Sequence, residues 1–231
     1  MQKRNPLQQL ELFENVAEET VDALWAHGNV AEYTKNTILM RAREPVSNIY
    51  IQLTGKSIIY NLTHTGQRKI LFILGKGELL NEHIFNTHVG ALFGETIEKS
   101  SIFVISSEAF TNLMAQDFSL TQAVMEAQEK KIWRLGHQLK NTTGSIYMER
   151  KLAAKLWKLA RDFGVETPEG IEIDINMTIT FLADMLGAPR ETTSRLCSTL
   201  TEYGLLKMNK RRITIINPQK MSYFYKTGKI E

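Results

Sequence analysis

The chain has very little cysteine and no long hydrophobic segment. Cys197 is the single cysteine among 231 residues, which excludes an internal disulfide, an iron–sulfur cluster and any other cysteine-built metal centre. The longest unbroken apolar run, residues 70–74, is far too short to span a bilayer, and the start MQKRNPLQQL lacks the apolar region of a signal peptide. These absences predict a cytoplasmic protein that has no membrane partner.

Acidic residues are missing from one long stretch near the C-terminus. Residues 203–230 contain seven Lys or Arg and no Asp or Glu, although the net charge of the whole chain is only +3. A solvated basic tail would explain this composition. Because the stretch directly follows a helix rich in short polar side chains, a polyanionic partner explains it better, since cations that neutralise phosphates release counterions.

Changes of hydrophobic period divide the chain into segments. Residues 7–25 have a helical pattern, and residues 34–110 then alternate short β-rich runs with glycine turns such as Thr54-Gly55. Short strands at near-regular spacing predict a small barrel or roll. The chain has no nucleophile–base pair, P-loop or H-E-x-x-H spacing, and this argues against an enzyme.

From residue 118 the pattern is helical again and follows a heptad. The seam positions are Phe118, Thr121, Met125, Gln128, Ile132, Leu135, Leu139, Thr142 and Ile146. A long helix lying on its own domain would explain part of this seam, but a seam of about four heptads favours a parallel homodimer. The predicted dimer interface is Met125, Gln128, Ile132, Leu135 and Leu139. Residues 141–145 interrupt helix propensity and are predicted to form a hinge.

The last third has the pattern of a helix-turn-helix followed by a hairpin. Thr178 can cap a helix over residues 179–186, Gly187 can end it with a positive φ, and Pro189 can start the next helix. The second helix has one stripe that is predicted to be buried, formed by Thr193, Leu196, Cys197 and Leu200. Its opposite, polar face carries Arg190, Glu191, Ser194, Arg195 and Ser198. Residues 205–216 then predict a β-hairpin with a basic tip, and the polar helix face fits the major groove of double-stranded DNA.

These motifs resemble a known family. The run T-x-x-x-L-A-D-M-L-G-A-P-R-E-T-T-S-R-L-C over residues 178–197, with the hairpin R-R-I-T-I-I-N-P-Q-K, is similar to the CRP/FNR transcription regulators. Upstream, Y-I-Q-L-T-G-K-S, H-T-G-Q and G-K-G-E-L-L resemble their cyclic-nucleotide-binding-type β-roll. The resemblance implies an α+β fold with a double-stranded β-helix or jelly-roll sensor over residues 1–115. A dimerisation helix over residues 116–144 and a winged helix-turn-helix over residues 145–231 would follow.

The resemblance also implies roles for single residues. In the family, residues matching Arg190, Glu191 and Arg195 contact bases, and those matching Thr192 and Ser198 lie near phosphates. The predicted base-reading set is Arg190, Glu191, Ser194 and Arg195, because Arg can fork onto guanine and Glu can accept from cytosine. The predicted phosphate contacts are Thr178, Thr192, Ser198, Lys210, Arg211 and Arg212. We expect a palindromic site whose half-sites lie about 34 Å apart.

The resemblance is incomplete in the sensor. Family members that bind cyclic AMP carry a G-E-L cassette followed shortly by Arg and then Ser or Thr. This chain has Gly77-Glu78-Leu79, then Asn81 where glycine is usual and Glu82 at the position that would hold a ribose hydroxyl. Gly90-Ala91 stands where the arginine and its neighbour should be. A buried cyclic phosphate would lack its counter-charge, so we do not expect cyclic AMP to bind.

The sequence therefore points to no single effector. His64, His83 and His88 lie in or near the pocket region, but lone histidines in loops are typically solvated, so we expect neither haem nor a metal. A small apolar effector could use a pocket whose candidate lining is Phe72, Leu74, Leu79, Glu82, Phe85, Leu92 and Phe93. Constitutive DNA binding is equally open. Cys197 is predicted to be an apolar filler, with a redox switch as the alternative.

Together these patterns favour a homodimeric, sequence-specific transcription regulator, which would also contact RNA polymerase if it activates. The alternative is a ligand-binding regulatory module of the cyclic-nucleotide type that has no operator-specific DNA binding.

Overall fold

The structure is a computed structural model that describes residues 5–85, 89–140 and 147–230. The chain forms two compact units, Met1–Gly136 and His137–Glu231. The predicted hinge at residues 141–145 and the predicted pocket-region residue His88 lie outside the described residues. Within those residues, no helix is long and apolar enough to cross a membrane.

The N-terminal segment differs from the single helix predicted over residues 7–25. Two short 3-10 helices, Pro6–Gln9 and Glu11–Phe13, precede helix α1 (Glu18–His27). The apolar residues Leu7, Leu10 and Phe13 recur every three residues, which matches the three-residue turn of a 3-10 helix, and all three are buried. Ala17 then has an extended backbone at φ −54° and ψ 135°, so the single-helix prediction was wrong at this break.

Strands and glycine turns build the rest of the first unit, as predicted. The described strands are β1 (Gly28–Tyr33), β2 (Ile38–Met40), β3 (Asn48–Thr54), β4 (Ser57–Leu62), β5 (Arg68–Leu74), β6 (Phe93–Thr96) and β7 (Ser100–Ser106). They form two antiparallel sheets of strand order β1-β7-β3 and β2-β6-β4-β5. Alternate residues of β5, namely Ile70, Phe72 and Leu74, are buried, as in a strand with one face on the core. The predicted β-roll is confirmed.

Two helices follow the strands, and the first unit ends within the second of them, at Gly136. Helix α2 (Ser107–Gln116) begins after Ser106, whose hydroxyl accepts a hydrogen bond from the Ala109 amide at 3.1 Å. Helix α3 (Phe118–Lys140) follows, and its residues Leu120 and Val124 are buried in the core formed by the N-terminal helices and the β1-β7-β3 sheet. One side of α3 therefore packs on its own unit.

The second unit has the order expected of a winged helix-turn-helix. Its elements are α4 (Met148–Phe163), β8 (Gly164–Thr167), β9 (Gly170–Ile173), α5 (Ile179–Leu186), α6 (Arg190–Glu202), β10 (Leu206–Asn209), β11 (Arg212–Ile215) and α7 (Pro218–Thr227). The four strands form one antiparallel sheet of order β10-β11-β9-β8. The strand predicted over residues 171–175 is present as β9, but it ends at Ile173 and does not include residues 174 and 175.

Helix α7, after the hairpin, was not predicted, although its signals are present in the sequence. The Asn217 side chain accepts from the Lys220 amide at 2.9 Å, and Pro218 occupies the first turn. Phe224 is buried, and Arg150 of α4 donates to the Tyr225 carbonyl at 3.0 Å near the C-terminus of α7. These contacts hold α7 against α4 within the second unit.

Candidate functional site

The turn between α5 and α6 is built by local capping. The Thr178 hydroxyl accepts from the Phe181 amide at 3.1 Å, which confirms the predicted N-cap of α5. Gly187 ends the helix in the left-handed region at φ 73° and ψ 42°, and its amide donates to the Ala183 carbonyl at 2.7 Å. A Cβ is disfavoured at this φ, so glycine suits the position. Pro189 then stands as the N-cap of α6.

Helix α6 has the two faces that its sequence predicts. Its buried residues are Thr193, Leu196, Cys197 and Leu200. Its exposed residues include all four predicted base readers and two of the predicted phosphate contacts, which are Arg190, Glu191, Thr192, Ser194, Arg195 and Ser198. Within residues 147–230, the charged side chains of Arg190, Glu191 and Arg195 form no ion pair. The polar face of α6 is therefore open to a partner.

The hairpin of β10 and β11 lies in the same sheet as β9 and carries the basic tip. Lys210 has φ +55° and, like Arg211, is exposed. The Arg211 carbonyl accepts from the Met177 amide at 2.8 Å, and this bond holds the tip beside the start of α5. Lys207 forms an ion pair with Glu169 at 2.8 Å. The tip thus presents its cations from a fixed position relative to the capped end of α5.

Arg212 differs from its two neighbours. It is half-buried, and its guanidinium donates to the Asp174 carboxylate at 2.6 Å and to the Ile173 carbonyl at 3.5 Å. A guanidinium bound in this way already has its anionic partner within the chain. The predicted phosphate contact of Arg212 therefore competes with an internal ion pair, whereas those of Lys210 and Arg211 do not.

Cys197 lies on the buried face of α6. It is only 2% exposed, and burial raises the pKa of its thiol to about 11. A thiol with this pKa is protonated at neutral pH, and the thiolate is the reactive form. This environment supports the predicted role of an apolar filler.

Helix α3 has an exposed apolar stripe in addition to its buried side. Phe118, Met125 and Ile132 are 74%, 55% and 68% exposed, and Leu139 is 66% exposed, at a spacing of seven residues. Two other predicted interface residues contact the chain's own roll instead. Gln128 donates to the Asn81 carbonyl at 3.1 Å, and Leu135 packs against a cluster of the β2-β6-β4-β5 sheet.

Five of the seven predicted pocket residues do not line the cavity that the structure describes in the first unit. Phe72, Leu74 and Leu79 are buried in the core, Phe93 stacks on Tyr60 with ring centroids 5.1 Å apart, and Phe85 is 58% exposed. A cavity of about 180 Å³ instead opens between the β2–β3 connection and the segment before β6. Its lining includes Leu39, Arg41, Glu44, Tyr50, Gly90 and the two predicted residues Glu82 and Leu92.

Glu82 lines this cavity together with the charged residues Arg41 and Glu44. Its carboxylate oxygen Oε1 accepts from the backbone amides of Ala91 at 3.1 Å and Leu92 at 3.0 Å. Among the described residues, no group of three His, Cys, Asp or Glu side chains could hold a metal ion.

Sequence reasoning missed two side chains of α3, Lys131 and Arg134, that hold the segment before Glu82. Lys131, which is 9% exposed, donates from Nζ to the Asn81 carbonyl at 2.6 Å beside Gln128. Arg134 donates to the Glu78 carboxylate at 2.9 Å. Burial lowers the pKa of Lys131 to about 8, against the opposing influence of Glu82 and Glu78. The signal in the sequence is that Lys131 lies at i+11 from Leu120 and at i+7 from Val124, so it continues the buried stripe of the helix that these two residues begin.

Comparison with known proteins supports both units. The family model for the Crp-like helix-turn-helix domain matches residues 150–224, and that for the cyclic nucleotide-binding domain matches residues 30–117. The chain is 32% identical over 131 residues to the "Global nitrogen regulator" of Synechococcus elongatus, a stretch that covers 57% of this chain and only 54% of that protein. It is 24% identical over 214 residues to the "Probable transcriptional regulator flp" of Lacticaseibacillus casei, covering 92% and 94% of the two chains.

Solved structures share the fold. A CooA mutant from Carboxydothermus hydrogenoformans aligns with a TM-score of 0.75 at 22% identity, over 94% of this chain and 95% of that chain. FixK2 from Bradyrhizobium japonicum aligns with a TM-score of 0.73 at 20% identity, over 85% and 96%. At these identities the likeness concerns the fold alone.

A β-roll, a long helix and a winged helix-turn-helix in this order define a class of transcription regulators that join a sensor to a DNA-binding unit. The two family models together match more than half of the chain, and the chain belongs to the CRP/FNR family of transcription regulators.

Proposed function

We propose that this regulator binds double-stranded DNA as a homodimer and recognises a palindromic site through α6. The observation that carries the proposal is the exposed polar face of α6, on which Arg190, Glu191, Ser194 and Arg195 lie opposite a fully packed apolar stripe. A helix that is anchored on one side and polar on the other can enter the major groove without losing its own packing.

The base-reading residues differ in what they can recognise. The guanidinium groups of Arg190 and Arg195 can each donate two hydrogen bonds to O6 and N7 of a guanine, and the Glu191 carboxylate can accept from N4 of a cytosine. Ser194, between them on the same face, can donate or accept. We expect a half-site with a G·C pair flanked by A·T pairs, and half-sites about 34 Å apart.

Phosphate contacts would surround this face. Thr178, at the start of α5, and Thr192 and Ser198, on α6, are exposed residues with hydroxyl groups. Lys210 and Arg211 supply exposed cations at the hairpin tip. Such contacts position the protein but carry no sequence information. We leave Arg212 out of the phosphate-binding set because Asp174 already binds its guanidinium at 2.6 Å.

The homodimer would form through the exposed stripe of α3. Phe118, Met125 and Ile132 repeat every seven residues, the spacing at which side chains face a parallel partner helix in a coiled coil. The opposite side of α3 is already packed on the roll through Leu120 and Val124. A second copy of the same helix would therefore bury apolar surface that one chain leaves exposed.

The first unit would act as the sensor, in the cytoplasm, with an effector that is not cyclic AMP. The cavity beside Glu82 is lined by one arginine, Arg41, whose side chain is 52% exposed and lies 4.0 Å from Glu44. This arrangement gives a buried cyclic phosphate little compensating charge. We propose that the protein has no haem, no metal and no enzymatic activity. We further propose that it contacts RNA polymerase if it activates transcription.

The DNA-binding proposal is tested by separating base reading from phosphate binding. An operator is first enriched from a random DNA pool with the full chain, and Arg195→Ala, Arg211→Ala and the control Arg161→Ala are then compared on operator and scrambled DNA. Arg195→Ala should lose about 1–3 kcal/mol of preference for the operator, roughly 5- to 150-fold. Arg211→Ala should weaken both DNAs alike and reduce the salt slope by about one.

Arg161 belongs to α4 and is paired with its neighbour Asp162, so its loss controls for the removal of one positive charge that is on neither α6 nor the hairpin tip. If Arg195→Ala kept its full preference while Arg211→Ala lost it, the assigned roles would be wrong. Equal affinity of the wild type for both DNAs would favour the alternative of a ligand-binding module.

The dimer proposal is tested by placing a charged side chain in the exposed apolar stripe of α3. Ile132→Lys should yield monomers in sedimentation velocity, because a lysine at each of two facing positions would bring like charges into an apolar seam. Glu126→Lys is the matched control on the same helix, since Glu126 follows Met125 and points about 100° away from the stripe. A dimer that survives Ile132→Lys would contradict the proposed seam.

A further inference from the structure

Two successive backbone amides in the sensor point to one oxygen atom. The amides of Ala91 and Leu92 donate to Oε1 of Glu82 at 3.1 and 3.0 Å. Successive amides that converge on a negative charge are a common way in which a backbone binds an anion. Here the anion is a side chain of the same protein, nine residues earlier in the chain.

This arrangement forms part of the cavity wall. Glu82 and Leu92 both line the cavity of about 180 Å³, together with Gly90. A Cβ built at Gly90 would lie 3.6 Å from Oε1 of Glu82, so the carboxylate is packed closely against the backbone that precedes its two donors. A ligand that enters the cavity meets this carboxylate rather than the amides.

The backbone at Asn81 and Glu82 is held by hydrogen bonds from side chains of α3. Gln128 donates to the Asn81 carbonyl at 3.1 Å and to the Glu82 carbonyl at 3.5 Å, and Lys131 donates to the Asn81 carbonyl at 2.6 Å. The Asn81 side chain accepts from the Tyr50 amide at 2.8 Å and donates to the Asn48 carbonyl at 2.9 Å. Glu82 is therefore fixed by α3 and by β3 while its carboxylate holds the amides.

We propose that Glu82 is an internal anion that fills a two-amide anion site in the sensor, so that the cavity takes neutral or cationic ligands and excludes anionic ones. Glu82 thus determines which class of ligand the sensor binds. It also connects the cavity wall to α3, because Gln128 and Lys131 donate hydrogen bonds to the carbonyls of Asn81 and Glu82. This inference rests on the proposed sensor role of the first unit. It does not depend on DNA binding, so a failure to find an operator leaves it intact.

The direct test is to remove the Glu82 carboxylate from the two amides that it occupies. In the full chain labelled with ¹⁵N, Glu82→Ala should vacate the amides of Ala91 and Leu92, which should then exchange their protons about tenfold faster or more, since each loses a hydrogen bond to a charged acceptor. Inorganic phosphate, used as the probe, should produce saturable shifts of these two amides in Glu82→Ala and none in the wild type.

Two further variants make the test specific. Glu44→Gln removes a negative charge from the same cavity without vacating the amides, so it should behave as the wild type does. Glu82→Gln keeps the shape of the side chain. In this variant the backbone amides of Ala91 and Leu92 should exchange faster than in the wild type, because a neutral oxygen accepts weaker hydrogen bonds.

Several results would overturn the proposal. Unchanged exchange of the two amides in Glu82→Ala and Glu82→Gln would show that the carboxylate does not hold them. Saturable phosphate shifts in the wild type, equal shifts in Glu44→Gln and Glu82→Ala, or no shifts in Glu82→Ala would each show that these amides are not an anion site closed by Glu82.

Discussion

Lys131 carries a buried charge whose cost should be visible in the pH dependence of stability. Its side chain is 9% exposed, and its ammonium donates to the Asn81 carbonyl at 2.6 Å. Burial lowers its pKa from 10.5 to about 8, with Glu82 and Glu78 acting in the opposite direction and Arg134 in the same direction. Because this folded-state pKa lies below that of the unfolded chain, the unfolded state binds more protons between about pH 8 and 10.5.

The sign of the effect follows from this difference. The cost of burying the charged lysine is fully present below about pH 8 and is relieved as the pH rises from about 8 towards 10.5. A shift of one pKa unit corresponds to about 1.4 kcal/mol. Between pH 7 and about 9.5, the free energy of unfolding of the wild type should therefore gain about 2 kcal/mol from this group alone.

The perturbation is Lys131→Met, which keeps an unbranched side chain that is one atom shorter and removes the charge. Urea unfolding at one fixed protein concentration, repeated over this pH range, gives the free energy of unfolding of wild type and variant. Their difference should change by about 2 kcal/mol, because other titrating groups contribute equally to both. The control Lys130→Met removes an exposed ammonium that pairs with Glu11 at 3.1 Å, and it should follow the wild type. Parallel pH curves for wild type and Lys131→Met would refute the reasoning.

The remaining predictions concern single side chains. Thr178→Ala should lower the free energy of unfolding by about 1 kcal/mol in urea titrations, because the first turn of α5 loses its cap, whereas Thr180→Ala, at an exposed position of the same helix, should not lower it. Asn81→Ala should cost about 2–4 kcal/mol in the same assay, because it removes a 1%-exposed side chain that satisfies two backbone groups of β3. Cys197 should react with Ellman's reagent at neutral pH only as the protein unfolds, since burial raises its pKa to about 11; prompt labelling of the native protein would contradict this.

Features set by local physical rules were predictable from the sequence. The buried stripe of α6, Thr193, Leu196, Cys197 and Leu200, follows from a 3.6-residue period, and the start and end of α5 follow from a capping threonine and a left-handed glycine. Each of these signals lies within a few residues of the feature it determines. The order of helix, glycine turn, helix and hairpin over residues 178–216 was predictable for the same reason.

Features that depend on contacts distant in sequence were not predictable. The heptad of α3 indicates a seam but does not show that Gln128 and Leu135 also face the chain's own roll. Glu82 could be singled out through the family resemblance, which places it where a ribose hydroxyl would bind. Its partners, the amides of Ala91 and Leu92, have no sequence signal, because every non-proline residue carries the same backbone donor.

The N-terminal segment shows a third kind of limit. Leu7, Leu10 and Phe13 satisfy a helical spacing at i and i+3, yet Leu7 and Phe13 lie in two separate 3-10 helices, and Leu10 between them has an extended backbone at φ −93° and ψ 133°. Apolar positions alone cannot separate these alternatives, and the break at Ala17 decides the outcome.

The central claim is that α6 recognises base pairs, and a competition experiment tests it most directly. Fluorescence anisotropy of the full chain on an operator enriched from a random pool, with scrambled DNA of the same length as competitor at a stated salt concentration, measures the specificity ratio. We expect the operator to bind about 10³-fold more tightly or better, with added small-molecule extracts where an effector is required. Equal affinity for operator and scrambled DNA under every condition would contradict the account.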